Sequence, residues 1–116
     1  MLLKSRVFSV VYDIMQRYSQ SDESCIDLLK LCRDERIKVV KNSLVDVLCP
    51  DVSGMLFTYG DEYVIVYDDT LTSEQCRRTV AHELGHYFLN HYEILNEPCY
   101  YEREADLFAT LLLGKF

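Results

Sequence analysis

The segment Thr79-Val80-Ala81-His82-Glu83-Leu84-Gly85-His86-Tyr87-Phe88-Leu89 constrains this chain more than any other. Two histidines four apart converge when they sit on a helix, where they lie about 40° apart around the axis and about 6 Å apart along it, so both imidazoles can face one ion. Glu83, one step from His82, stands on the same side yet displaced, where a carboxylate can reach a water at such an ion without taking a coordination position. That is the place of a general base. A catalytic zinc takes three protein ligands and a water, so the fold must bring a third donor to this helix from elsewhere.

A third histidine six residues beyond the second, preceded by glycine, is ruled out because those positions are Tyr92 and Leu89. His91 lies about half a turn from His82 on a regular helix and reads as a surface or helix-end histidine. The carboxylates of Glu102-Arg103-Glu104-Ala105-Asp106 remain. Glu102 and Asp106 are four apart; with Glu102 on the ion, Asp106 falls one turn further along the same face, where it can accept a hydrogen bond from a ligand histidine's far nitrogen. Glu104 is rotated about 160° away from Asp106 and reads as facing solvent or the neighbourhood of Arg103. The small Ala105 allows close approach to the catalytic helix against Gly85.

Hydropathy places these helices in an α+β outline. Val7, Val10, Val11, Ile14, Met15 and Tyr18 recur three and four apart, which predicts an amphipathic helix from Arg6 to Tyr18. A second helix is expected near Glu23 to Arg33, with Ile26, Leu29, Leu31 and Cys32 available to the core. Ile37 to Val40 reads as a strand, and Gly54–Tyr59 and Glu62–Tyr67 flank the turn signal Gly60-Asp61 as a hairpin. The expectation is a small antiparallel sheet packed on helices. Thr72-Ser73-Glu74-Gln75 offers a hydroxyl cap for a long helix running to about His91, and a last helix follows Asn96-Glu97-Pro98, from about Tyr100 to Leu113.

At 116 residues the chain suits one domain, 1–116. Its net charge of −7 repels a phosphate backbone and an anionic bilayer, which argues against direct nucleic-acid or membrane partners. Asp13 and Gln16-Arg17 interrupt the apolar start, and no run is long enough to span a bilayer. Cys25, Cys32, Cys49, Cys76 and Cys99 are odd in number and contain no Cys-x-x-Cys, so they read as free thiols of a reducing cytoplasm. Tyr63, Tyr67, Tyr87, Tyr92, Tyr100 and Tyr101 lie near the motif in sequence, and each reads better as a core or rim aromatic than as an oxyanion stabiliser. Arg77 and Arg78 read as exposed helix cations. The strand Tyr63 to Tyr67 is a candidate sheet edge for adding an extended peptide.

His82-Glu83-Leu84-Gly85-His86, followed by Glu102-x-Glu104-Ala105-Asp106-x-Phe108-Ala109-x-x-Leu112-Leu113, resembles the ImmA/IrrE family of metallopeptidases, mainly over Glu74 to Leu113. The resemblance implies a minimal zincin-like core, with His82, His86 and Glu102 as metal ligands and Glu83 as catalytic base. Asp106 stands where many relatives have asparagine, which still permits the orienting hydrogen bond. The implied cofactor is zinc, and the donor set also admits manganese or iron. The implied activity is a zinc-dependent endopeptidase acting on a regulatory protein such as a phage, mobile-element or stress-response repressor. The alternative is a metal-containing regulatory module that binds such a partner without cutting it.

Overall fold

The computed structural model describes residues 3–18, 27–43, 52–91 and 98–114, and four helices and a three-stranded sheet lie within them. Helix α1 spans Leu3–Tyr18, α2 Leu28–Asp34, α3 Ser73–Phe88 and α4 Pro98–Leu113; the strands are β1 (Ile37–Lys41), β2 (Gly54–Tyr59) and β3 (Glu62–Tyr67). The periodic face of α1 is its buried one: Val7, Val11 and Ile14 are enclosed and Val10, Met15 and Tyr18 pack partly against the same core. Helix α2 starts later than expected, because Asp27 caps it by accepting from the Lys30 amide at 3.1 Å. Leu31 and Cys32 are buried, while Leu29, expected in the core, is 60% exposed. Ile26, Cys25 and Cys49 lie outside the described residues.

The hairpin forms as its turn signal predicts, with Gly60 at φ 63°, a left-handed conformation that suits glycine. The sheet order is β1-β3-β2, with β2 antiparallel and β1 parallel to β3. The sheet is therefore mixed, which corrects the orientation expected for β1. A tight turn fixes the direction of β2 against β3, whereas nothing local ties β1 to its neighbour; its direction is a tertiary choice. Strand β3 is also the central strand. The idea that a peptide adds to Tyr63 to Tyr67 fails, since β1 and β2 already occupy both of its edges. Among the described residues the outer edge of β2 pairs with no strand.

Helix α3 packs on α4 and lies against β2 and β3, and α1 covers another side of α4. Thr72 and Gln75 form a reciprocal capping box at the start of α3: the Gln75 amide donates to Thr72 Oγ1 at 3.1 Å, and the Thr72 amide donates to Gln75 Oε1 at 2.9 Å. The core runs through Ile65, Val80, Ala81, Leu84, Phe108, Ala109 and Leu112. No helix among the described residues is long and apolar enough to cross a membrane.

Candidate metal centre

The two imidazoles of α3 meet Glu102 of α4 at the mouth of a cleft of about 580 Å³ between β2, α3 and α4. His82 Nε2 lies 3.0 Å from Glu102 Oε1, His86 Nε2 lies 2.8 Å from Glu102 Oε2, and the two Nε2 atoms are 3.2 Å apart. Helical spacing brings the histidines together. The approach of α4 brings Glu102, and small residues permit it: a Cβ on Gly85 would stand 3.1 Å from both Ala105 Cα and Phe108 Cβ. Glu102 and Asp106 are exposed on the cleft face of α4, and Asp106 Oδ1 lies 2.8 Å from His82 Nδ1.

These contacts favour one tautomer of each imidazole. With its Nδ1 proton given to Asp106, His82 turns an Nε2 lone pair toward Glu102; with its Nδ1 proton given to His91, 2.8 Å away, His86 does the same. Burial pushes the His86 pKa down to about 4, the Glu102 charge opposing this and the two other histidines adding to it, so the ring is neutral at physiological pH. Three electron-pair donors then face one another, an arrangement that calls for a cation. Four ligands set tetrahedrally about 2.05 Å from a zinc ion stand roughly 3.3 Å apart, and separations of 2.8 to 3.2 Å require little adjustment to match. The donor set fits a small divalent metal.

Glu83 lines the same cleft but is only 7% exposed. Burial pushes its pKa up to about 7, the Glu102 charge adds to the rise and His82 opposes it. Arg78 also reaches the cleft, donating from Nη2 to the Asp106 carbonyl at 3.2 Å, which ties α3 to α4 and corrects its reading as a purely exposed cation. The outer wall is Val52 to Leu56 of β2 and the residues before it, held against α3 by the 2.9 Å contact of Ser53 Oγ with Thr79 Oγ1.

Two readings are overturned. His91 is no surface histidine; it is 6% exposed, because α3 stops at Phe88 and Asn90 takes a left-handed φ of 60° that turns the chain back. Glu104 does not face solvent but is fully buried, accepting from His91 Nε2 at 2.7 Å. An asparagine directly after an apolar helix end is the one local signal for such a turn. Of the tyrosines, Tyr87 donates to Glu35 at 3.0 Å, Tyr101 lies 4.4 Å from the His91 ring and Tyr100 is exposed; Tyr92 lies outside the described residues. Cys32 and Cys76 are free thiols.

A family model for peptidase M78, described as the IrrE N-terminal-like domain, matches residues 32–113. No curated protein and no solved structure matches the chain.

Proposed function

Because the chain belongs to the peptidase M78 family, and so to a group of metallopeptidase type, we propose that it is a zinc-dependent endopeptidase in which His82, His86 and Glu102 hold the ion and Glu83 moves the proton. The observation that carries this reading is the convergence of two Nε2 lone pairs and one carboxylate, each imidazole anchored through its opposite nitrogen. When bound, a divalent ion supplies Lewis acidity that acidifies water and polarises the scissile carbonyl. Glu83 accepts the proton of the attacking water and delivers it to the leaving nitrogen, so the C–N bond breaks into a carboxylate and an amine. A carboxyl group held near pH 7 is matched to both halves of that transfer. Asp106 holds the His82 ring and stays out of the ion's own ligand set.

The substrate lies along β2. Its first residues line the cleft together with Glu83, and an extended peptide that added its main chain to the outer edge of β2 would pass the His-His-Glu cluster. Resemblance to the ImmA/IrrE family favours a regulatory protein, such as a phage, mobile-element or stress-response repressor, as the protein cut. The acidic charge fits a protein partner better than nucleic acid.

Elemental analysis of the purified protein beside Glu102→Ala tests the centre without a substrate. About one zinc per chain is expected in the wild type, and clearly less in the variant. Equal zinc in both would remove Glu102 from the site; no zinc, manganese or iron in the wild type after supply and desalting would remove the metal centre, and with it both the peptidase and the metal-containing binding module.

A further inference from the structure

Behind His86 runs a chain of groups that the proposed hydrolysis does not use. His86 Nδ1 meets His91 Nδ1 at 2.8 Å, His91 Nε2 meets Glu104 Oε1 at 2.7 Å, and Arg6 of α1 reaches Glu104 Oε1 at 3.5 Å. Arg6 also donates to the Leu89 carbonyl, where α3 ends. His91 and Glu104 are sealed from solvent, and Tyr101 covers the His91 ring at 4.4 Å.

The hydrogens can be placed by elimination. Glu104 accepts, so His91 carries its proton on Nε2 and turns an Nδ1 lone pair to His86. His86 must then hold its own proton on Nδ1, which leaves Nε2 bare toward Glu102 and His82. A buried carboxylate is costly without partners, and the second oxygen of Glu104 bonds to no described residue, so packing alone would favour an apolar side chain there. The sequence places a charge at that position and supplies a cation to it from α1.

We propose that Arg6, Glu104 and His91 form a positioning relay that locks His86 in the Nδ1–H tautomer, and that α1, which lies outside the family-matched segment 32–113, thereby completes the metal centre. The inference rests on the metal-site reading above for its purpose, but its geometry concerns the protein's own residues. His91 and Glu104 are positioning residues; neither touches the cleft.

Two readouts test it. In metal-free protein, the imidazole ¹⁵N shifts report which nitrogen of His86 is protonated. The wild type should show Nδ1–H, and His91→Phe should move the population toward Nε2–H. Zinc affinity, measured against a chromophoric chelator, should fall roughly 10- to 100-fold in His91→Phe. It should fall less in Glu104→Gln and Arg6→Ala, and recover in His91→Gln, whose amide can both accept from His86 and donate to Glu104. A folded His91→Phe with wild-type tautomer and affinity would overturn the relay. If His91→Phe does not fold, Arg6→Ala decides, since the Arg6 side chain is 42% exposed and its truncation opens no enclosed cavity: an unchanged His86 tautomer and unchanged affinity together would overturn the relay through α1. A wild type that binds no zinc would instead defeat the metal reading, while the tautomer measurement would still judge the relay.

Discussion

Glu102 and Glu104 stand two residues apart on α4, yet the Glu102 side chain is 58% exposed at the cleft and that of Glu104 is fully enclosed. Both reach His86, Glu102 from the front at its Nε2 and Glu104 from behind through His91. On the front, charge is kept in contact with solvent and is free to take a ligand. On the back, charge is buried and partnered by Arg6 and His91, and what it holds is orientation. Helix α4 packs against both α3 and α1, so two residues of rotation carry a carboxylate from the open cleft to the enclosed side.

The largest effect expected on the front face is on turnover. Glu83→Gln keeps the side chain's size and removes its basicity, so hydrolysis of a fluorescence-quenched peptide library should fall about 10²- to 10⁴-fold while zinc content stays at the wild-type level. Turnover that survives the substitution would take the proton away from Glu83 and erase the functional side of the contrast.

The same substitution should reveal what the front costs. Folding raises the Glu83 pKa from the usual carboxylate range to about 7, so between those values the native state binds more protons than the unfolded one. Stability is then lost as pH rises through that window, and above it the penalty is complete, about 3 kcal/mol for the metal-free protein. The neutral amide of Glu83→Gln would carry no such penalty. Urea denaturation of the metal-free pair should therefore show the variant gaining on the wild type from about pH 4.5 to about pH 8, the gap holding steady above. A pH-independent gap would mean the buried carboxyl is not strained by desolvation.

The front face was legible in the sequence because its spacing is local: four residues on one helix put His82 beside His86, and four on the next put Glu102 beside Asp106. The back face was not. His91 depends on where α3 stops and on the turn at Asn90, and a reading that carries the helix on to His91 points the ring the wrong way. Helical rotation places Glu104 correctly relative to Asp106, but pointing away from the cleft does not mean pointing into water; α1 fills that side. The direction of β1, and with it the central place of β3, is likewise decided by pairing between distant segments, which hydropathy does not record.

Sterics separate the two faces as well as charge. Gly54 begins β2 where a Cβ would stand 2.5 Å from Thr79 Cγ2 and 2.9 Å from the Val66 carbonyl oxygen. One neighbour is a stiff, buried β-branched side chain and the other is backbone, so Gly54→Ala must push the edge strand off α3 and strain the Ser53–Thr79 contact. A loss of about 1 to 3 kcal/mol is expected in urea denaturation. Unchanged stability would show that β2 is seated loosely over the cleft.

Gly85→Ala probes the seam between the faces and should be the smallest of these changes. Alanine in place of glycine within a helix is worth about 1 kcal/mol in its favour, and an exposed site would gain that much. Here the new Cβ would meet Ala105 Cα, Phe108 Cβ and Phe108 Cδ1, each at 3.1 Å. Part of that contact is backbone, and Phe108 is fully buried against Phe88, so the helices must separate by a few tenths of an ångström. Repacking should overcome the propensity gain and leave a net loss of about 1 kcal/mol, read as a lower melting temperature of the metal-free protein. The same separation lengthens the reach from Glu102 to both Nε2 atoms, so zinc affinity should fall with it. A variant that melts higher yet binds zinc as the wild type does would mean that the α3–α4 spacing has slack, and that the relay behind His86, rather than helix contact, sets the donor geometry.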